Sequence, residues 1–345
     1  SIKDIPAAAW DALHTGDNPF ASHAFLLALE ESQSLRPAWG WRAHHITYWK
    51  DDALIAAAPG YLKDNSHGEF VFDHAWADAY ARYGRDYYPK YLIGIPYSPI
   101  TGPRLLARDI QAKKQLLFGI RQFVVENALS SAHVNFITEE SNELFDTYWA
   151  KRHDVQFHWQ NAGWGDFESF LASLNHKRRK AIRQERQRVQ RQGIGFRLVT
   201  GHSASEADLK AMHDFYCLTF MQKGNSPALT GAFFSQLAKK LPDTVLIILA
   251  ERDARPIAGA FFIRGKDTLY GRYWGCEEDI DGLHFETCYY QGIDYCLREG
   301  LQHFEPGAQG EHKLARGFLP VLTHSRHFIA DPDLGPAIHQ WCLQE

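Results

Sequence analysis

Residues 307–318, GAQGEHKLARGF, place Glu311, His312, Lys313 and Arg316 within six positions and among three glycines. A carboxylate beside an imidazole can move protons near neutral pH, and two cations next to them can hold an anionic group. Glycines allow the backbone to approach a bound molecule closely. On this reading Glu311 and His312 transfer protons, while Lys313 and Arg316 bind substrate. The bland alternative is a solvated charged loop. Against it stands the regular pattern of the residues that lead into the segment.

Those residues predict an amphipathic helix over 285–299 and a short strand over 302–305. Phe285, Cys288, Tyr289, Ile293, Cys296 and Leu297 form the helix's apolar stripe, and Glu286, Tyr290 and Asp294 share another face at helical spacing. Glu286 is a third proton-transfer candidate, although an acid near a helix start also suits the macrodipole. Tyr289 is assigned to substrate contact.

Upstream, the spacing predicts a helix over 176–192 that carries Lys177, Arg178, Arg179, Lys180, Arg183, Arg186, Arg188 and Arg191 against one acid, Glu185. Asn175 is a natural N-cap and Gly193 a natural C′ residue. Such a run is often just a solvated face, yet like charges at helical spacing repel unless an anion neutralises them. Lys177, Arg178, Arg179, Lys180 and Arg183 are therefore assigned to phosphate or RNA contact. No aromatic residues interleave with them, which tells against a base-stacking surface.

In the first half, the pattern predicts a helix from about residue 22, a hairpin within 44–61 that turns at Asp51-Asp52, and a short strand over 69–73. A helix over 75–83, a proline-rich loop over 95–106, a helix over 109–128 and a strand over 133–138 follow. Lys90 and Arg104 are candidate anion ligands here. The second half repeats this order of helix, antiparallel strands, loop, long helix and strand.

With 345 residues the chain exceeds one ordinary core, so two domains are expected, over 1–150 and 151–324, with the tail 325–345 returning to the first. A net charge of −4 excludes a globally basic or acidic surface, so an anionic partner needs a local patch. Five cysteines without a CxxC pair argue against a disulfide framework, and scattered histidines argue against a metal site. No apolar run is long enough to span a bilayer, and no signal peptide is recognisable; a cytoplasmic location without membrane insertion is expected.

Residues 190–195, QRQGIG, match a pyrophosphate-loop pattern but end a helix and enter a strand, the reverse of what a helix N-terminal anion site requires. The loop 276–284 carries Glu277, Glu278, Asp279 and Asp281, which repel a pyrophosphate. No Walker loop, nucleophile elbow, HExxH or Rossmann fingerprint occurs.

The loop above, the helix HFETCYYQGIDYCLREGL, and the segments SLNHKRRKAIRQER, GEFVFDHAWADAYARYGRDYYPK and IPYSPITGPRLL together resemble the Fem-like N-acyltransferases of Gram-negative bacteria. The resemblance spans about residues 18–329. It implies an α/β (α+β) fold of two tandem GNAT-like domains, each a mixed, mostly antiparallel sheet flanked by helices. Fem-type relatives move an amino acid from aminoacyl-tRNA to an amine of a peptidoglycan precursor and carry a K-x-x-F-G-like segment. Lys313-Leu-Ala-Arg316-Gly-Phe318 is its nearest match, with glycine before the phenylalanine instead of after it. The long helical arm of some relatives has no counterpart.

The expectation is thus an N-acyltransferase with no tightly bound cofactor and an amine acceptor, its donor aminoacyl-tRNA in preference to acyl-CoA. A small-molecule acyl-CoA enzyme, and a non-catalytic module that binds RNA or a peptidoglycan precursor, are the alternatives. A monomer is compatible with the sequence, which does not specify the oligomeric state.

Overall fold

In the computed structural model, residues 1–14, 16–308 and 310–345 are described. They divide into two units, the first Ser1–Asp154 with Leu322–Glu345 and the second Val155–Val321. The strands, in chain order, are β1 (Trp41–Ala43), β2 (Ile46–Lys50), β3 (Ala53–Ala58), β4 (Gly60–Lys63), β5 (Lys90–Ile93), β6 (Leu106–Ala107), β7 (Ser131–Ile137), β8 (Trp149–Gln160), β9 (Gly195–Thr200), β10 (Val245–Arg252), β11 (Arg255–Arg264), β12 (Thr268–Cys276), β13 (His303–Glu305) and β14 (Leu319–Ile329).

In the first unit the main sheet runs β1-β4-β5-β7-β14, and β2-β3-β6 forms a small second sheet. The expected hairpin is β2–β3, turned by Asp51 and Asp52 at φ 48° and 60°, the left-handed pair that a tight hairpin needs. The run expected to form one second strand is cut in two at Pro59. After it, β4 leaves β3 and pairs instead with β1 and β5, because proline donates no ladder hydrogen bond. The strand expected over 69–73 does not form: Phe70 adopts φ 62°, and Glu69 and Asp73 turn into the interior. The helix Ile110–Glu126, N-capped by Asp109, buries Leu116, Ile120 and Val124 against Tyr91, Ile93 and Val134 of β5 and β7.

In the second unit the order is β8-β13-β12-β11-β10-β9. Ile248, Phe262, Phe304 and Trp159 pack with Tyr290, Ile293 and Cys296 of the helical segment 283–299. Each unit contains one parallel pair joined through its long helix, β5–β7 in the first and β12–β13 in the second. All other pairings described within the units are antiparallel. This is the mixed, mostly antiparallel sheet with flanking helices that the resemblance implies. Among the described residues no helix is long and apolar enough to cross a membrane, and all five cysteines are free.

Candidate functional site

The basic helix forms over His176–Arg191, with the Asn175 side chain accepting from Arg178 N at 2.9 Å. Gly193 follows at φ 70°. The helix has two distinct halves. Arg183 pairs with Glu168, Arg188 with Asp281, and Arg186 reaches both Glu286 (3.1 Å) and Asp294 (2.7 Å). In the first turn, Lys177, Arg178 and Lys180 are exposed and Arg179 half-buried. Among the described residues, none of these four makes an ion pair.

The helical segment facing it contains one irregularity. Residues Glu286–Tyr290 form a π-helical turn between Leu283–Phe285 and Gln291–Glu299, a device common at functional sites. The expected stripe is buried at Tyr289, Ile293 and Cys296, but Glu286 and Tyr290 are buried as well, at 3% and 0% exposure. Their face packs on the basic helix. Glu286 Oε1 receives Gln291 Nε2 at 2.8 Å besides Arg186, while its Oε2 has no partner among the described residues. Burial raises the pKa of Glu286, against the pull of Arg186.

Glu185, the lone acid of the basic helix, was not singled out as a site residue, yet it anchors the loop. Arg316 donates to Glu185 Oε1 at 2.8 Å, to Tyr290 Oη at 3.0 Å and to the His312 carbonyl at 2.9 Å, and its guanidinium stacks 3.4 Å over the Phe285 ring. Tyr290 itself donates to Glu185. A single acid amid eight cations is the signal the sequence offers for it. The residues Glu311–Arg316 coil into a 3-10 turn that ends at Gly317 with φ 86°, where a Cβ would lie 2.9 Å from the Phe170 ring.

Within that turn the side chains separate by depth. Lys313 is 2% exposed and donates to the Gly307 carbonyl at 2.6 Å; burial lowers its pKa to about 8. Glu311 and His312 lie on the outside. His312 packs against Phe285 and Tyr289, with Nε2 3.0 Å from the Tyr289 hydroxyl. Partial burial, then Arg316 and Lys313, lower its pKa, so the ring is a neutral imidazole able to take a proton. His284, against the same aromatic group, is pushed down to about 4 by burial and by His312 and Arg316.

Lys90 and Arg104 belong to the first unit and are buried there. Lys90 bonds Glu69, Asp73 and Ser66, and Arg104 donates to the carbonyls of Asn135, Pro103 and Ile100. The structure therefore gathers Glu286, Tyr289, Glu311, His312, Lys313 and Arg316 in one neighbourhood of the second unit. Among the described residues no group of three or more His, Cys, Asp or Glu side chains is placed to hold a metal ion.

The FemAB-like family model, peptidoglycan biosynthesis/recognition, matches residues 1–345. Among solved structures, FemX superposes with a TM-score of 0.57 at 11% identity, covering 97% of this chain and 99% of that one. L-PGS from Bacillus licheniformis gives 0.54 at 9% identity, covering 92% and 95%. A search of curated proteins found no match.

Proposed function

The chain belongs to the FemAB-like family and is an acyltransferase, and from that premise we propose that it transfers an aminoacyl group from aminoacyl-tRNA to an amine of a peptidoglycan-type precursor. The observation that carries the donor is the division of the basic helix. Arg183, Arg186 and Arg188 are neutralised by carboxylates of the same unit, whereas Lys177, Arg178, Arg179 and Lys180 at the start of the helix have no ion-pair partner among the described residues. Nothing in the packing of the helix requires four cations there, and a phosphate backbone would supply their counter-charge. In the loop after β12, Glu277 and Glu278 are each paired, with Arg255 and Arg252, so its carboxylates do not bear on the choice of donor. The family description supports the acceptor.

In the reaction the amine nitrogen attacks the ester carbonyl, a C–N bond forms, and the C–O bond to the ribose hydroxyl breaks. One proton must leave the nitrogen and one must reach the departing oxygen. His312, neutral and at the surface, takes the first with Glu311 beside it, and the same imidazolium returns it to the leaving group. His312 Nε2–H, donating to the Tyr289 hydroxyl, orients the ring and leaves Nδ1 to accept the proton. Arg316 and Lys313 fix the turn from beneath and lend it positive potential as negative charge builds on the carbonyl oxygen.

The test is binding of the purified protein to charged and uncharged tRNA, and to acetyl- and longer acyl-CoA, at two salt concentrations. The expected result is salt-sensitive tRNA binding whose log–log slope falls by roughly 3 when the four cations become alanine. Saturable CoA binding untouched by those substitutions, without tRNA binding, would replace the donor by acyl-CoA.

A further inference from the structure

In the first unit, β7 and β14 carry a polar face where central strands ordinarily carry an apolar one. β7 supplies Ser131, His133 and Asn135; β14 supplies Ser325 opposite Asn135 and His327 opposite His133. All five are at most 5% exposed. Their hydrogen bonds run in a line. Ser325 Oγ lies 2.8 Å from His327 Nε2, and His327 Nδ1 lies 2.7 Å from His133 Nδ1. His133 Nε2 is 2.8 Å from Ser131 Oγ and 3.1 Å from Tyr87 Oη, which donates to Asp73 Oδ2 at 2.7 Å.

The far end sets the direction of this line. Despite its burial, Asp73 stays ionised because Lys90 lowers its pKa, and a carboxylate can only accept. Tyr87 thus spends its hydrogen on Asp73 and offers His133 Nε2 only lone pairs, so we assign the hydrogen to Nε2, where the Tyr87 and Ser131 oxygens both accept it. That tautomer leaves His133 Nδ1 as an acceptor, which requires hydrogen on His327 Nδ1 and a lone pair on its Nε2. Ser325 must then be the donor. Burial keeps both imidazoles neutral, so the lone pair is not lost to protonation. A hydroxyl engaged by a neutral imidazole, itself oriented through its other nitrogen, is the arrangement that activates a serine.

Ser325 also lines a cavity of about 330 Å³ in the same unit. Its lining combines the apolar Val71, Phe72 and Phe136 with Arg152 and the imidazole pair His153–His324. Cross-strand from Ser325, Asn135 is 2% exposed and its Oδ1 has no partner among the described residues.

We infer that Ser325 is a nucleophile for small activated acyl esters, a reactive site additional to the 310–316 turn. Oγ attacks the ester carbonyl while its proton passes to His327 Nε2. The tetrahedral intermediate expels the alkoxide, which takes that proton, and leaves an acyl-serine. Water then attacks the acyl-serine, gives its proton to Nε2, and Ser325 recovers it as the acid departs.

The full chain is treated with a fluorophosphonate, which forms an Oγ–P bond and releases fluoride, and is mapped by mass spectrometry; hydrolysis of p-nitrophenyl butyrate is followed in parallel. One adduct on Ser325 is expected, absent from S325A, and slowed about 10²-fold or more in H327Q. Circular dichroism verifies the fold of both variants. No adduct on the native chain, an adduct that persists in S325A, or native-rate labelling of folded H327Q overturns the assignment. Should H327Q not fold, the native chain and S325A decide by themselves.

Discussion

Lys63, Lys90, Glu69 and Asp73 of the first unit are at most 5% exposed, whereas in the second unit most cations of the basic helix stand outside, while Arg186, Lys313 and Arg316 turn inward. In the first cluster Lys90 lies 2.8 Å from Glu69 and also contacts Asp73, while Lys63 sits 3.6 Å over the Trp41 ring. Burial lowers Lys63 to about 7 and raises Glu69 to about 6; Lys90 remains charged despite its burial because two carboxylates face it. Charge placed in a core depends on its partners for stability, so each member is structural first. Charge left on a surface costs little and remains available to a partner. Identical residue types therefore serve different ends, and burial separates them.

The sharpest way to break this contrast is Lys90→Met, which strands Glu69 and Asp73 without their cation. A loss of about 3–5 kcal/mol is expected, read from the urea midpoint; a loss below 1 kcal/mol would mean that the cluster is not held by its charges. Next comes the double substitution Glu311→Gln with His312→Ala. Turnover on an identified acceptor should fall about 10²-fold, roughly 3 kcal/mol in barrier, with the urea midpoint unchanged. Survival of turnover removes both residues from proton transfer.

Lys313 gives a smaller, pH-dependent effect. Its folded-state pKa, about 8, lies below its unfolded value of 10.5, so between these pH values the native chain binds fewer protons than the unfolded one. Stability should accordingly rise with pH across that window, by on the order of 2 kcal/mol, and Lys313→Met should flatten the rise. A rise that persists in the variant would assign it to another group. The smallest effect belongs to Lys177, Arg178, Arg179 and Lys180. Replacing all four by alanine should move stability by no more than about 0.5 kcal/mol, since none has an internal ion-pair partner among the described residues. A large loss would make the turn structural and weaken its reading as a phosphate contact.

Local chemistry was legible in the chain alone. Asn175 and Gly193 bracket the basic helix because a cap and a left-handed C′ residue act over three or four positions. Asp51-Asp52 marks its hairpin turn for the same reason. The repeated order of strands, long helix and strand was likewise readable from periodicity, and it became the two parallel crossovers. The composition of the 310–316 turn was plain as well.

Depth and partnership were decided only by the tertiary structure. Nothing in the spacing of Glu69, Asp73 and Lys90 reveals that they meet in a core, and Glu185 looks like a stray acid until Arg316, 131 residues away, closes on it. The line from Ser325 to Asp73 joins residues from four separate segments. Caps, turns and periodicity are short-range and additive along the chain. Burial, ionisation and hydrogen-bond direction depend on which distant groups displace water around a side chain, and only the folded arrangement supplies those groups.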